Sequence, residues 1–149
     1  MKRALILDDE PICLQVCAAI LASRHFTVVT VSNAADAIRT CQETSFDLLV
    51  ADVELPASSG PNVAVEIHTC CPMMAILFIS GTAIEGWRRT DVDDSRRLFQ
   101  ARVDFLQKPF TVMTMMHRVE HLLSGTSPLS DFRALVDQSD TQMLDARHT

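Results

Sequence analysis

The sequence predicts an α/β fold in which five parallel strands are covered on both faces by helices. Short, continuously apolar runs recur along the chain. Each is followed by a stretch of helical character, and four of the five end on an acid, a hydroxyl or a lysine. A run too short for a helix and apolar throughout suits a strand buried on both faces.

Ala4-Leu5-Ile6-Leu7 is the first such run and ends in Asp8-Asp9-Glu10. Pro11 then stands where a first helical turn tolerates it, and Ile12, Val16, Ala19 and Ile20 recur at helical spacing. Residues 26–31 are rich in β-branched side chains and read as the second strand. Ser32 or Asn33 can cap a second helix that runs to about Glu43, with Ala34, Ile38 and Cys41 inward. Residues 47–52 repeat the opening pattern and end on Asp52. The stretch 55–60 is loop, Pro61 can open a third helix through Val63 and Ile67, and Pro72 closes that region. Residues 74–79 form the fourth run, ending on Ser80-Gly81. Thr90 with Asp93 three residues later forms a capping box, with Asp91 and Asp94 also in the first turn. Residues 103–107 are the fifth strand, ending on Lys108-Pro109, and Val112, Met115, Val119 and Leu122 mark a last amphipathic helix. From Gly125 onward the pattern breaks, and Phe132, Leu135 and Val136 point to one short extra helix. The predicted organisation is therefore one domain over 1–124 and a tail over 125–149.

Composition narrows the function. The chain of 149 residues is 48% hydrophobic and 21% charged, enough apolar side chain for a core without covalent staples. A net charge of −6 argues against nucleic acid or an anionic membrane surface as partner. Five cysteines, an odd count in a chain too large to need a disulfide framework, read as reduced thiols in the cytoplasm. No apolar run reaches membrane-spanning length, and Met1-Lys2-Arg3 leads into a strand, not into a signal-peptide core.

The strand ends carry the chemistry. Asp8 and Asp9 close strand one, Asp52 strand three, Ser80 strand four and Lys108 strand five. An open parallel sheet binds its ligands outside the carboxyl ends of its strands. Three carboxylates gathered there resist ionising together unless a cation intervenes, and oxygen donors favour a hard ion such as Mg²⁺. Lys108 adds a positive charge suited to a phosphoryl oxygen and Ser80 a hydroxyl donor, so the set is built for phosphoryl transfer with one aspartate as nucleophile.

Asp8-Asp9 after a buried strand, Asp52-Val53-Glu54-Leu55-Pro56 with Gly60, Phe78-Ile79-Ser80-Gly81, and Asp104-Phe105-Leu106-Gln107-Lys108-Pro109-Phe110 together resemble a response-regulator receiver domain. The resemblance covers about residues 1–124. It implies a flavodoxin-like, doubly wound (βα)5 sheet of strand order 2-1-3-4-5. It makes Asp52 the phosphoacceptor, and Asp8, Asp9, Asp52 and the main-chain carbonyl of Glu54 the holders of Mg²⁺ or Mn²⁺. Ser80 becomes the switch hydroxyl, Phe105 the aromatic switch and Lys108 the phosphoryl-binding cation, with a cis bond between Lys108 and Pro109.

The implied function is that of a single-domain response regulator, phosphorylated on Asp52 by a histidine kinase or histidine phosphotransfer protein. Its chemistry would be limited to self-catalysed phosphorylation and dephosphorylation. The added charge would draw Ser80 toward the phosphoryl group, let Phe105 turn inward, and reshape the face of helix four, strand five and helix five. That face would serve a downstream protein target or a homodimer. The 25 residues after Ser124 leave no room for a DNA-binding output domain.

Several positions depart from the family pattern. Leu55 and Ser59 stand where the loop after the acceptor usually carries methionine and an acid, and Phe105 lacks a phenol hydroxyl. The stretch from Ser80 to Lys108 is several residues longer than usual. The excess falls between Thr82 and Thr90, where Trp87, Arg88 and Arg89 overlie the switch region. That insert favours an alternative, a phosphorylation-independent interaction module on the same fold. An aspartate-nucleophile phosphatase would need D-x-D where this chain has Asp8-Asp9-Glu10-Pro11. His117-Arg118-Val119-Glu120-His121 matches a zinc-peptidase pattern but falls in the last helix and reads as an exposed polar face. Cys13 and Cys17 read as small core residues, and Cys70-Cys71 as a helix end with a buried thiol.

Overall fold

Alternation of side chains along the strands of one sheet builds two cores at once. The structure is a computed structural model that describes residues 1–98, 100–125, 134 and 136–138. The strands are β1 (Arg3–Leu7), β2 (Thr27–Val31), β3 (Leu48–Asp52), β4 (Ala75–Ser80) and β5 (Val103–Gln107). They form one parallel sheet in the order β2-β1-β3-β4-β5, the doubly wound order expected. The helices are α1 (Pro11–Ala22), α2 (Ala34–Glu43), α3 (Gly60–Cys70), α4 (Arg89–Arg96) and α5 (Val112–Ser124).

Leu5, Leu7, Leu49, Ala51, Ile76 and Phe78 point to the side covered by α2, α3 and α4. Ala4, Ile6, Leu48, Val50, Leu77 and Ile79 point to the side covered by α1 and α5. Burying both faces is what makes these runs continuously apolar. Val136 is buried within the α4-side cluster, and Asp137 pairs with Arg96 at 3.5 Å, so the described part of the tail packs on that side. Phe132 and Leu135, the other residues of the expected tail helix, lie outside the described residues.

Local chemistry sets most element ends. Asn33 caps α2 by accepting from the Asp36 N–H at 2.8 Å, and Ser59 caps α3 ahead of Pro61. Gly125 ends α5 with φ of 77°.

Three details differ from expectation. The loop that follows Asp52 is folded back on itself, with Glu54–Leu55 pairing antiparallel to Ser58–Ser59. The capping box expected at Thr90 is not used. α4 starts two residues earlier, with Arg88 at its N-cap and Thr90 inside the first turn, because Arg88 bonds Asp91 at 3.2 Å and Trp87 is drawn into the core. On α1 the inward stripe is Cys17, Ile20 and Leu21, while Ile12 is 75% and Val16 45% exposed. The helix is apolar nearly all round, so spacing alone does not say which stripe faces the sheet. Among the described residues no helix is long and apolar enough to cross a membrane.

Candidate functional site

Sheet register brings the strand ends together. Leu7 pairs with Ala51, and Asp52 pairs with Ile79, so Asp8 and Asp52 emerge side by side at the carboxyl edge. The Lys108 N–H donates to the Ser80 carbonyl at 2.8 Å, which carries the β4–β5 pairing one residue further and delivers the lysine to the same edge. The Lys108–Pro109 bond is cis, as expected.

Asp8 and Asp52 are buried, and Lys108 Nζ stands 3.3 Å from an oxygen of each. Glu10 Oε1 lies 3.8 Å from the same ammonium. One oxygen each from Asp8, Glu10 and Asp52 falls within 4.8 Å of the others. Asp9 is exposed and is not part of that cluster; Glu10 is the third carboxylate instead. The first turn of α1 leads Glu10 back over Asp8, whose Oδ1 accepts the Glu10 N–H at 2.9 Å.

The two buried aspartates have pKa values pushed apart. Burial lifts Asp52 to about 6, aided by the neighbouring Asp8 and opposed by the Glu54 N–H and by Lys108. Burial also acts upward on Asp8. It is outweighed there by a hydrogen bond from the Cys13 thiol, the Glu10 N–H and Lys108, so Asp8 is held below the usual carboxylate range. Burial acts downward on Lys108, but the negative charges of Asp52 and Asp8 outweigh it and hold the ammonium above the ordinary lysine range. Lys108 thus pairs with both aspartates, while their surroundings hold Asp52 up and Asp8 down.

Gly60 matters to Asp52 for a steric reason. A Cβ there would sit 2.4 Å from the Asp52 carbonyl oxygen and 3.2 Å from Val53 Cα, so only glycine lets the start of α3 approach β3 this closely.

Ser80 and Phe105, the two residues expected to switch, both lie inside the fold. Ser80 is fully buried, and its hydroxyl donates to Glu54 Oε1 at 3.1 Å while accepting the Thr82 N–H at 2.9 Å. Phe105 already lies inward, 9% exposed, beneath Trp87, which is 4% exposed. The segment from Thr82 to Thr90 lies over Phe105, as expected, but does so through a buried side chain. It folds through a short 3-10 turn, Ile84–Gly86, and inserts its indole into the α4-side core.

The residues that sequence reasoning passes over are Glu10, Cys13, the Glu54 side chain and the inward indole. Glu10 and Cys13 carry a signal, since both fall close after Asp8 at the start of α1. The Glu54 carboxylate and Trp87 carry none, because their partners are distant in sequence. His117 and His121 are exposed, with ring centroids 4.3 Å apart and the rings tilted by 52°, in keeping with a polar helix face. Cys17 is buried and Cys13 half-buried. Cys70 is exposed, and the buried thiol at that end is Cys41 on α2.

Residues 4–120 match the family model described as the response regulator receiver domain. The transcriptional regulatory protein KdpE of Mycobacterium tuberculosis is 25% identical over 97% of this chain and 61% of its own length. The sensor kinase CckA of Brucella abortus is 27% identical over 80% of this chain and 12% of its own. The chain thus spans less than two thirds of these curated relatives. Among solved structures, a CheY-like receiver domain protein of Methanospirillum hungatei superposes with a TM-score of 0.74 at 21% identity, covering 84% of this chain and 95% of that one. The response regulator TrrA of Thermotoga maritima, solved in complex with Mg²⁺–BeF, gives 0.69 at 26% identity, with 83% and 100% covered.

Proposed function

Because the chain belongs to the response-regulator receiver family, we propose that it accepts a phosphoryl group on Asp52 from a histidine kinase or histidine phosphotransfer protein, and signals as a single-domain regulator through altered protein contacts. The observation that carries this reading is the triangle of two buried aspartates, Asp8 and Asp52, with the half-buried Lys108 at the carboxyl edge of the sheet.

The donor set fits a hard divalent cation. Three clustered carboxylates face one ammonium, and burial beside that surplus negative charge keeps Asp52 up at about 6. Asp8, Asp52 and the main-chain carbonyl of Glu54 would hold Mg²⁺ or Mn²⁺, with Asp9 at the rim and Glu10 beside it. When bound, the ion neutralises charge on the carboxylates and on the incoming phosphoryl oxygens.

The protein's own groups account for the rest. The Glu54 N–H fixes Asp52 Oδ1 at 3.1 Å and so sets the plane of the attacking carboxylate. A carboxylate oxygen of Asp52 attacks phosphorus, an O–P bond forms, and the P–N bond to the donor imidazole breaks with the electron pair leaving on nitrogen. Lys108, 3.3 Å from Asp52 Oδ2, is placed to exchange that contact for a phosphoryl oxygen. Ser80 supplies a hydroxyl donor once it leaves Glu54.

The test is intact mass after incubation with a small acyl phosphate, with and without Mg²⁺. One phosphoryl adduct that needs Mg²⁺ and is lost in Asp52→Asn is the expected result. No adduct under any condition would leave the phosphorylation-independent module as the reading of this fold.

A further inference from the structure

Ser80 has one hydroxyl proton, and it is committed. It goes to Glu54 Oε1 at 3.1 Å, while the same hydroxyl oxygen accepts the Thr82 N–H at 2.9 Å. The Thr82 carbonyl in turn accepts the indole Nε1–H of Trp87 at 3.1 Å. Thr82 is thus gripped from both sides, by the switch hydroxyl through its N–H and by the indole through its C=O. The grip is tight: a Cβ on Gly86 would come within 2.6 Å of the Thr82 methyl. The indole is anchored edge-on against Phe105 at 5.2 Å and Phe78 at 6.2 Å between ring centroids, and these rings belong to β5 and β4.

We propose that Trp87 is a positioning residue for phosphoryl uptake at Asp52: through Thr82 it holds the Ser80 hydroxyl on Glu54, and it is the aromatic group released when Ser80 turns to the phosphoryl group. This rests on Asp52 being the phosphoacceptor, as proposed above.

The physical argument is a competition for one proton. A phosphoryl oxygen on Asp52 and the Glu54 carboxylate cannot both take the Ser80 hydroxyl, so bonding the first means leaving the second. When Ser80 turns, the Thr82 N–H loses its acceptor and the turn that holds the indole loses one of its two ties. Phe105 is boxed beneath Trp87 and leaves that position only if Trp87 moves. Mobility therefore begins in the insert, and Phe105 follows. A group that stabilises the withdrawn arrangement of Ser80 lowers the population competent to accept phosphate, so removing that group raises uptake.

The experiment follows adduct formation by intact mass, with a small acyl phosphate and Mg²⁺, in parallel with the fluorescence of Trp87, the only tryptophan in the sequence. In the wild type the emission is expected to shift to the red, and acrylamide quenching to rise, in step with the adduct. Trp87→Phe keeps a ring against Phe105 but removes the bond to Thr82. Its uptake rate is expected to rise roughly fivefold, the factor that one ordinary hydrogen bond commands. The gain is expected to vanish when Ser80→Ala is added, which a merely structural role for the indole would not produce. An adduct that forms while the indole signal stays fixed overturns the proposal, as does a Trp87→Phe rate at or below wild type. No adduct in the wild type removes the phosphoacceptor reading, and this relay with it.

Discussion

Two regions of the carboxyl edge are built on different principles. At the proposed acceptor, Asp8, Asp52 and Lys108 are each delivered by the end of a buried strand, so the hydrogen-bonded register of the sheet sets their spacing. In the flank from Ser80 to Arg96, position is set by packing. The indole, two phenyl rings and a chain of single hydrogen bonds decide where the Ser80 hydroxyl points. The first kind of site is rigid because moving one residue means moving a strand. The second can have two arrangements, since each bond in it can be exchanged for another of similar strength.

That contrast predicts opposite outcomes for two substitutions. Trp87→Ala empties the centre of the flank and should lower stability by about 3–5 kcal/mol in chemical denaturation, while Asp52 still takes a phosphoryl group at temperatures where the variant is folded. Gly60→Ala should cost less, about 1–3 kcal/mol. Because its methyl group is forced onto the Asp52 carbonyl, it should nevertheless suppress the phosphoryl adduct. If both variants lost stability and uptake in proportion, the two regions would not be separable.

The pH dependence sharpens the acceptor half of the comparison. Asp52 sits at about 6 in the fold against an ordinary 3.8, so the folded chain holds that proton more tightly than the unfolded chain does. The resulting stability is fully present below the unfolded value and lost as pH rises through about 6. It should amount to roughly 3 kcal/mol without metal. Asp8 is lowered and acts with the opposite sign: its contribution is present above the ordinary carboxylate value and lost as pH falls through its folded value. Thermal melts of wild type and Asp52→Asn in chelator should therefore diverge as pH rises from the ordinary 3.8 to about 6, with the variant the more stable at neutral pH. Mg²⁺ titrations should show affinity rising over the same window.

The smallest effect is a control remote from both regions. Asn33→Ala removes the cap of α2 and should cost about 1 kcal/mol, with phosphoryl uptake and Trp87 emission unchanged.

Much of the molecule is legible along the chain. Runs such as 4–7 and 47–52 are apolar because both of their faces are covered, and that pattern reads directly as a parallel sheet with helices on both sides. Asp52, Ser80 and Lys108 stand out because each breaks such a run at its carboxyl end. Glu10 reads only as one of several loop acids, because its approach to Lys108 depends on how the first turn of α1 lies over Asp8. The face of α1 is illegible for a different reason. Its residues are apolar on nearly every side, so periodicity carries no preference between Cys17 and Val16.

Short-range patterning and strand register are enough to say which strands form, where they end, and so which acids and which lysine meet at one edge. Three other outcomes wait on packing in three dimensions: the insert turns its tryptophan inward, Glu54 claims the Ser80 hydroxyl, and burial prevails over the opposing hydrogen bonds and charge at Asp52 but not at Asp8. Each depends on side chains brought together from separate elements. Pairwise packing and desolvation between distant residues leave no periodic trace in the chain.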